Sequence, residues 1–125
     1  MINTTLIIPT HFRHNYLPRV INYYKNEEMD IIIADSTDIA YRERPLQPNI
    51  RYFHYPDLSF REKMKKVIEN VKTPFCLLCA DDDFVVRSSI NKCVDFLCDN
   101  EDYTSVQGHY IFFHYSDPIA IWPST

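Results

Sequence analysis

A chain of 125 residues, 46% apolar and 24% charged, has the size and balance of one soluble globular domain, long enough to bury a core. A net charge of −4 argues against a phosphate-backbone binder, which ordinarily carries a basic excess, so no nucleic-acid partner is expected. Gly108 is the single glycine, and with none before it neither a Walker loop nor a dinucleotide-binding glycine fingerprint can form.

The first apolar run, residues 6–8, reads as a buried strand. Leu17, Val20, Ile21 and Tyr24 follow at the i, i+3, i+4, i+7 spacing of an amphipathic helix. Residues 31–34 and 50–53 are a second and third strand, rich in β-branched or aromatic side chains. The polar connection 36–48 between them holds Pro45 and Pro48 and is not expected to form a helix. A second helical stripe is Met64, Val67, Ile68 and Val71, followed by a fourth strand over 75–79. The third stripe is Ile90, Cys93, Val94 and Leu97, and a fifth strand is expected over 106–113, with no closing helix before Thr125. This order predicts an α/β fold: a Rossmann-like, doubly wound, mostly parallel sheet with helices on both faces, residues 1–125 forming one domain.

No apolar run reaches the length of a transmembrane segment. Met1-Ile2-Asn3-Thr4 lacks the basic start and apolar run of a secretion signal, so a cytoplasmic location is expected, with peripheral membrane association left open. Cys76, Cys79, Cys93 and Cys98 are read as buried free thiols rather than a zinc set. In an extended strand Cys76 and Cys79 point to opposite faces, and Cys93 lies on a helical apolar stripe. His14, His54, His109 and His114 lack metal-ligand spacing and are read as strand-end or surface residues.

Ligands of open α/β sheets bind beyond the carboxyl ends of the strands, so the residues just after each run carry the information. These are Pro9-Thr10-His11-Phe12-Arg13, Asp35-Ser36 and Asp81-Asp82-Asp83. Three adjacent carboxylates repel one another, and a bound cation resolves that conflict. In extended backbone Asp81 and Asp83 project to one side and Asp82 to the other, which suits a hard ion such as Mg²⁺ or Mn²⁺ held by two carboxylates, water and diphosphate oxygens. The plainer alternative is a solvated, aspartate-rich turn. A haloacid-type phosphatase or a receiver domain needs an acid after its first strand, where this chain has Pro9-Thr10-His11.

The opening Ile7-Ile8-Pro9-Thr10-His11-Phe12-Arg13-His14-Asn15-Tyr16-Leu17 resembles that of family 2 glycosyltransferases of the GT-A fold, usually IIPT-Y-N-R followed by a helix. Ile31-Ile32-Ile33-Ala34-Asp35-Ser36 resembles the second strand of that family, and Asp81-Asp82-Asp83 its DXD motif. The resemblance implies metal-dependent transfer of a sugar from a nucleoside-diphosphate donor, UDP-sugar favoured, to a glycan or lipid-linked acceptor, as in polysaccharide biosynthesis. It places Pro9, Thr10, His11, Arg13, Asp35, Lys63, Asp81 and Asp82 at the nucleotide and Asp81 and Asp83 at Mn²⁺ or Mg²⁺.

His11 stands where the family has an aromatic residue packed on the base, or is a turn residue, and Phe12 departs from the usual polar residue. Asp35 corresponds to the acid that accepts a hydrogen bond from the base, or caps its loop. Lys63 lies near where family members carry a basic residue that reaches the nucleotide, and at least two of Lys63, Lys65 and Lys66 belong to a solvated face; Arg13 meets a phosphate or solvent. The general base of inverting members lies after the DXD strand, and Asp117, before Pro118, makes no convincing candidate. The chain is therefore expected to be a donor half, with the base and the acceptor site beyond Thr125. Its alternative function is a catalytically incomplete nucleotide-sugar-binding or interaction module.

Overall fold

A computed structural model describes residues 3–43 and 46–112; Met1, Ile2, Pro45, Phe113, His114, Asp117 and Trp122 are among those outside. Four strands form one parallel sheet: β1 (Thr4–Thr10), β2 (Asp30–Asp35), β3 (Ile50–His54) and β4 (Phe75–Leu78), in the order β3-β2-β1-β4. Helix α1 (Leu17–Tyr24) follows β1 through a 3₁₀ turn over His14–Tyr16. Helix α2 (Phe60–Ile68) connects β3 to β4, and α3 (Arg87–Asp99) comes after β4.

At β1 and β2 the sheet is covered on both faces, as the alternation of strands and helical stripes predicts. Leu6, Ile8, Ile31 and Ile33 pack against Leu17, Val20 and Tyr24 of α1 and Ile90 of α3. The intervening Ile7, Ile32 and Ala34 face the other way, onto Val67 and Met64 of α2. An uninterrupted Ile31-Ile32-Ile33-Ala34 run is what a central strand buried on both sides requires, and all four are fully buried. Pro18 in the first turn of α1 costs no helical hydrogen bond, because that N–H would lack a partner anyway. Asn49 Nδ2 donates to the carbonyls of Tyr24 and Glu27, satisfying groups at the far end of α1 and fixing the approach to β3.

Helix α2 begins with a reciprocal cap. The Ser59 hydroxyl accepts from the Glu62 N–H, while the Glu62 carboxylate accepts from the Ser59 N–H. Its stripe is narrower than the spacing predicts: Val67 is buried, but Ile68 is 60% exposed and Val71 falls after the helix end.

Two further expectations are corrected. Residues 106–112, where a fifth strand is expected, form none and are exposed. Apolar composition suits a strand, yet a strand exists only through a ladder partner, and none pairs with this segment or with the outer edge of β4 among the described residues. The cysteines are free, but of the four only Cys79 is buried; Cys76 and Cys98 are exposed and Cys93 half-buried. Cys76 and Cys79 do face opposite ways, and only the Cys79 side of β4 is covered. Burial pushes the Cys79 thiol up to about 11. No helix among the described residues is long and apolar enough to cross a membrane.

Replacing Ser59 with Ala removes half of the cap that positions α2. The expected loss is about 1 kcal/mol, read as a fall of about 4 °C in thermal midpoint.

Candidate functional site

The chain runs from β1 outward through β2 to β3 and then returns across β1 to β4, so the strand order reverses between β1 and β4. In open α/β sheets such a reversal point is where ligands commonly bind, in a crevice beyond the carboxyl ends of the strands. Pro9 sharpens the opening. Ile7 and Pro9 direct their backbone polar groups toward β4, and the Ile7 carbonyl accepts the Cys79 N–H at 3.0 Å. Pro9 has no N–H to extend the ladder, so pairing with β4 stops there while β1 continues along β2 as far as Thr10 and Asp35.

The acidic triplet lies across this crevice. It is not in extended backbone: β4 ends at Leu78, and residues 80–83 form a turn closed by the Asp83 N–H on the Ala80 carbonyl at 3.2 Å. The alternation expected for a strand is thereby lost, since strand pairing has already ended. Asp81 is 2% exposed and accepts from the Thr10 hydroxyl at 2.7 Å, with the Arg13 guanidinium 3.2 Å from its other oxygen. Arg13 also donates to Asp82 at 2.8 Å. Its hydrogen bond holds the Asp82 carboxyl below the ordinary carboxylate range, and Arg13 itself is raised. Arg13 therefore faces the triplet across the crevice rather than open solvent. Asp83 is exposed, and its carboxylate has no hydrogen bond among the described residues.

Lys63 reaches the same region from below. It is 2% exposed, and its Nζ donates to the Thr10 carbonyl at 2.8 Å and to Ser36 Oγ at 2.9 Å. Burial pulls the ammonium pKa down, against the opposing charges of Asp35 and Asp81. Lys65 and Lys66 are exposed. Asp35, fully buried, accepts from the Thr37 N–H at 2.8 Å through one oxygen; its other oxygen lies 2.5 Å from the Tyr52 hydroxyl and 2.6 Å from His14 Nε2. Burial pushes this carboxyl up, but the hydrogen bonds from Thr37, Tyr52 and His14 more than offset that and leave it below its usual value. The Thr37 bond is the loop cap; the other two belong to a network that sequence spacing does not reveal. His14, read as a surface residue, lies in that network, against the ring of Tyr41. Its signal was hidden because its partner is 21 residues away, at the end of β2.

His11 and Phe12 cross the top of the site. Both are exposed, their rings 4.5 Å apart in an edge-to-face arrangement. His11 Nδ1 lies 3.1 Å from the Ser36 carbonyl and from its hydroxyl, and the Phe12 N–H donates to Thr37 Oγ1 at 2.8 Å. Phe12 has φ 53°, a left-handed conformation that costs a non-glycine residue about 1–2 kcal/mol. A separate shallow cleft of about 370 Å³ lies between Pro18 and residues 39–43; it shares His14 with the network but not the acidic triplet.

The carboxylates suit a hard divalent ion, which prefers oxygen ligands. Among the described residues no three His, Cys, Asp or Glu side chains come together as a ready-made cage.

Two outcomes test this arrangement. Lys63→Met leaves the Thr10 carbonyl and the Ser36 hydroxyl without their buried donor and is expected to cost about 1–3 kcal/mol in urea denaturation. Lys66→Met, on the exposed face, should stay within about 0.5 kcal/mol of wild type. Asp35, with its pKa lowered on folding, contributes stability above its ordinary value of 3.8 that is lost as pH falls through the folded value. The acid limb of the stability profile should therefore flatten in Asp35→Asn, as measured by denaturation between about pH 5 and 2.

The crevice at the reversal point, the Ile-Ile-Pro-Thr opening and the acidic turn lie together in the segment that a family model also covers. No curated protein matches the chain significantly. The model of glycosyl transferase family 2 matches residues 5–120, nearly the whole sequence, and the chain belongs to that family.

Proposed function

We propose that the crevice between β1 and β4 binds a nucleoside-diphosphate sugar, UDP-sugar favoured, and presents it for transfer to an acceptor hydroxyl on a glycan or lipid-linked molecule. The observation carrying this reading is the convergence of Thr10, Arg13, Asp81 and Asp82 from two separate strand ends at the point where strand order reverses. Membership of glycosyl transferase family 2 supports glycosyl transfer as the reaction class.

In this reading Asp81 and Asp83 hold Mn²⁺ or Mg²⁺, which when bound neutralises the diphosphate and makes it a better leaving group. Arg13, partly exposed beside the acidic turn, exchanges a carboxylate for a phosphate oxygen. Thr10 and Lys63 act as positioning residues: the first orients Asp81, and the second holds the ends of β1 and β2 together. Pro9 keeps the crevice open. The base lies away from the triplet, over the loops after β1 and β2, where His11 is exposed and Asp35 supports the floor through Thr37. The residue that deprotonates the acceptor is left unassigned.

Calorimetry with UDP tests the reading. Binding is expected in Mn²⁺ or Mg²⁺, and EDTA or Asp83→Ala should weaken it at least ~10-fold, a loss that even outer-shell partners of a metal can produce. No binding under any of these conditions would overturn the donor site. Binding indifferent to both EDTA and the substitution would overturn the metal assignment alone. Release of UDP from a UDP-sugar in the presence of an acceptor separates a complete transferase from a binding module.

A further inference from the structure

A second guanidinium stands beside the acidic turn. Arg19, near the start of α1, brings Nη2 to 3.4 Å from the Asp82 carbonyl. Its guanidinium carbon lies 5.2 Å from the centre of the Tyr16 ring and 5.1 Å from that of Phe84. Arg13 lies over the same Tyr16 ring at 4.3 Å, so one tyrosine serves both arginines. Farther along α1, the Tyr23 ring packs 4.5 Å from Phe84, and its hydroxyl donates to the Val85 carbonyl at 3.3 Å. The Tyr24 hydroxyl accepts the Val85 N–H at 3.0 Å. Helix α1 thus grips the chain just after the triplet while holding Arg19 against Asp82.

This placement matters because Arg13 is already committed. It donates to Asp82 at 2.8 Å and lies 3.2 Å from Asp81, and the donor-site reading requires it to give up a carboxylate for a phosphate oxygen. Asp82 would then face an incoming diphosphate with its own charge uncompensated. Arg19 is the other guanidinium in contact with Asp82, and its charge already favours the ionised carboxyl there. In the present arrangement it holds only the backbone carbonyl. Aromatic faces restrain a guanidinium without consuming its N–H donors, so the fork stays free to shift from that carbonyl to the carboxylate of the same residue. An exposed arginine without such rings would sample many rotamers and supply the charge less dependably.

We propose that Arg19 is the relief partner of Asp82: as Arg13 turns to a phosphate oxygen, Arg19, guided by the rings of Tyr16 and Phe84, takes over the Asp82 carboxylate and lowers the repulsion between the acidic turn and the diphosphate. Arg19 is a positioning residue, since it acts on the ligand through Asp82. The assignment rests on the donor-site reading and adds to it a second cation that makes the exchange at Arg13 possible.

Calorimetry with inorganic pyrophosphate and Mn²⁺ at low ionic strength, repeated with UDP, tests the exchange. Arg19→Met should weaken pyrophosphate binding about 3- to 10-fold in the otherwise wild-type chain. In an Asp82→Asn background the same substitution should change affinity by less than about twofold, because no carboxylate there needs a second partner. Arg19→Gln should repeat this pattern, and Arg19→Lys, which keeps the charge, should fall between Arg19→Met and wild type. Arg19 is exposed, so thermal midpoints should stay within about 4 °C of the parent. An equal loss in both backgrounds would overturn the proposal, since neither a direct contact of Arg19 with phosphate nor a purely structural role depends on the Asp82 charge. Unaltered affinity in Arg19→Met would overturn it too, and both results leave the donor site standing. Failure of the wild-type protein to bind either UDP or pyrophosphate would overturn the two readings together.

Discussion

The ammonium of Lys63 lies enclosed beneath the carboxyl ends of β1 and β2, 2.8 Å from the Thr10 carbonyl and 2.9 Å from the Ser36 hydroxyl. An unpaired charge in such a place would be expensive, and the nearby buried carboxylates of Asp35 and Asp81 are what make it tolerable. The dependence is mutual. Asp35 ends β2 and Asp81 lies in the turn after β4, so one ammonium offsets desolvated acids brought from two segments to the same end of the sheet, Asp81 having Arg13 as well. Because Lys63 is rooted in α2, on the opposite face from α1, the charge balance also fixes how that helix sits on the sheet. Positions at the rim are thus set by electrostatics as much as by the apolar layers beneath.

Above that buried layer the balance reverses. Asp81, Asp82 and Asp83 outnumber the guanidiniums of Arg13 and Arg19 beside them, and Arg13 already divides itself between two of the carboxylates. An anionic diphosphate approaching this turn alone would meet net repulsion, so a ligand of that class is favoured only when positive charge arrives with it. Arg13 is well placed for such an exchange, being partly exposed and held by contacts in a high-dielectric setting.

Much of this was legible in the chain because the signals were local. The Ile31-Ile32-Ile33-Ala34 run, the stripe from Leu17 to Tyr24 and the alternation of strands with helices depend on periodicity, and the central strands that form have both faces covered. The rim residues were found by the rule that loops after parallel strands carry ligands. What escaped depends on contacts between distant segments. His14 meets Asp35 only because a 3₁₀ turn brings it back over β2, and Tyr52 reaches the same carboxylate from the neighbouring strand. The turn at Asp81 to Asp83 could not be told from a strand end by composition, and the apolar segment 106–112 has strand chemistry without a ladder partner among the described residues.

Burial divides the rim residues into two sets, and the division bears on what each can do. Thr10, Asp35, Lys63 and Asp81 are buried, and each has partners within the protein. A ligand seeking Asp35 would have to displace His14 or Tyr52 from a carboxylate that their hydrogen bonds already stabilise in its charged form. His11, Phe12, Asp82 and Asp83 are exposed, and Arg13 partly so; these groups can form new contacts while giving up mainly water. New contacts are therefore cheapest for the exposed set, while the buried set supplies the rigidity that keeps those groups in register. Asp81 stands between the two, desolvated by Thr10 on one oxygen while its other faces Arg13, and it is through this residue that a change at the crevice would be felt in the buried network.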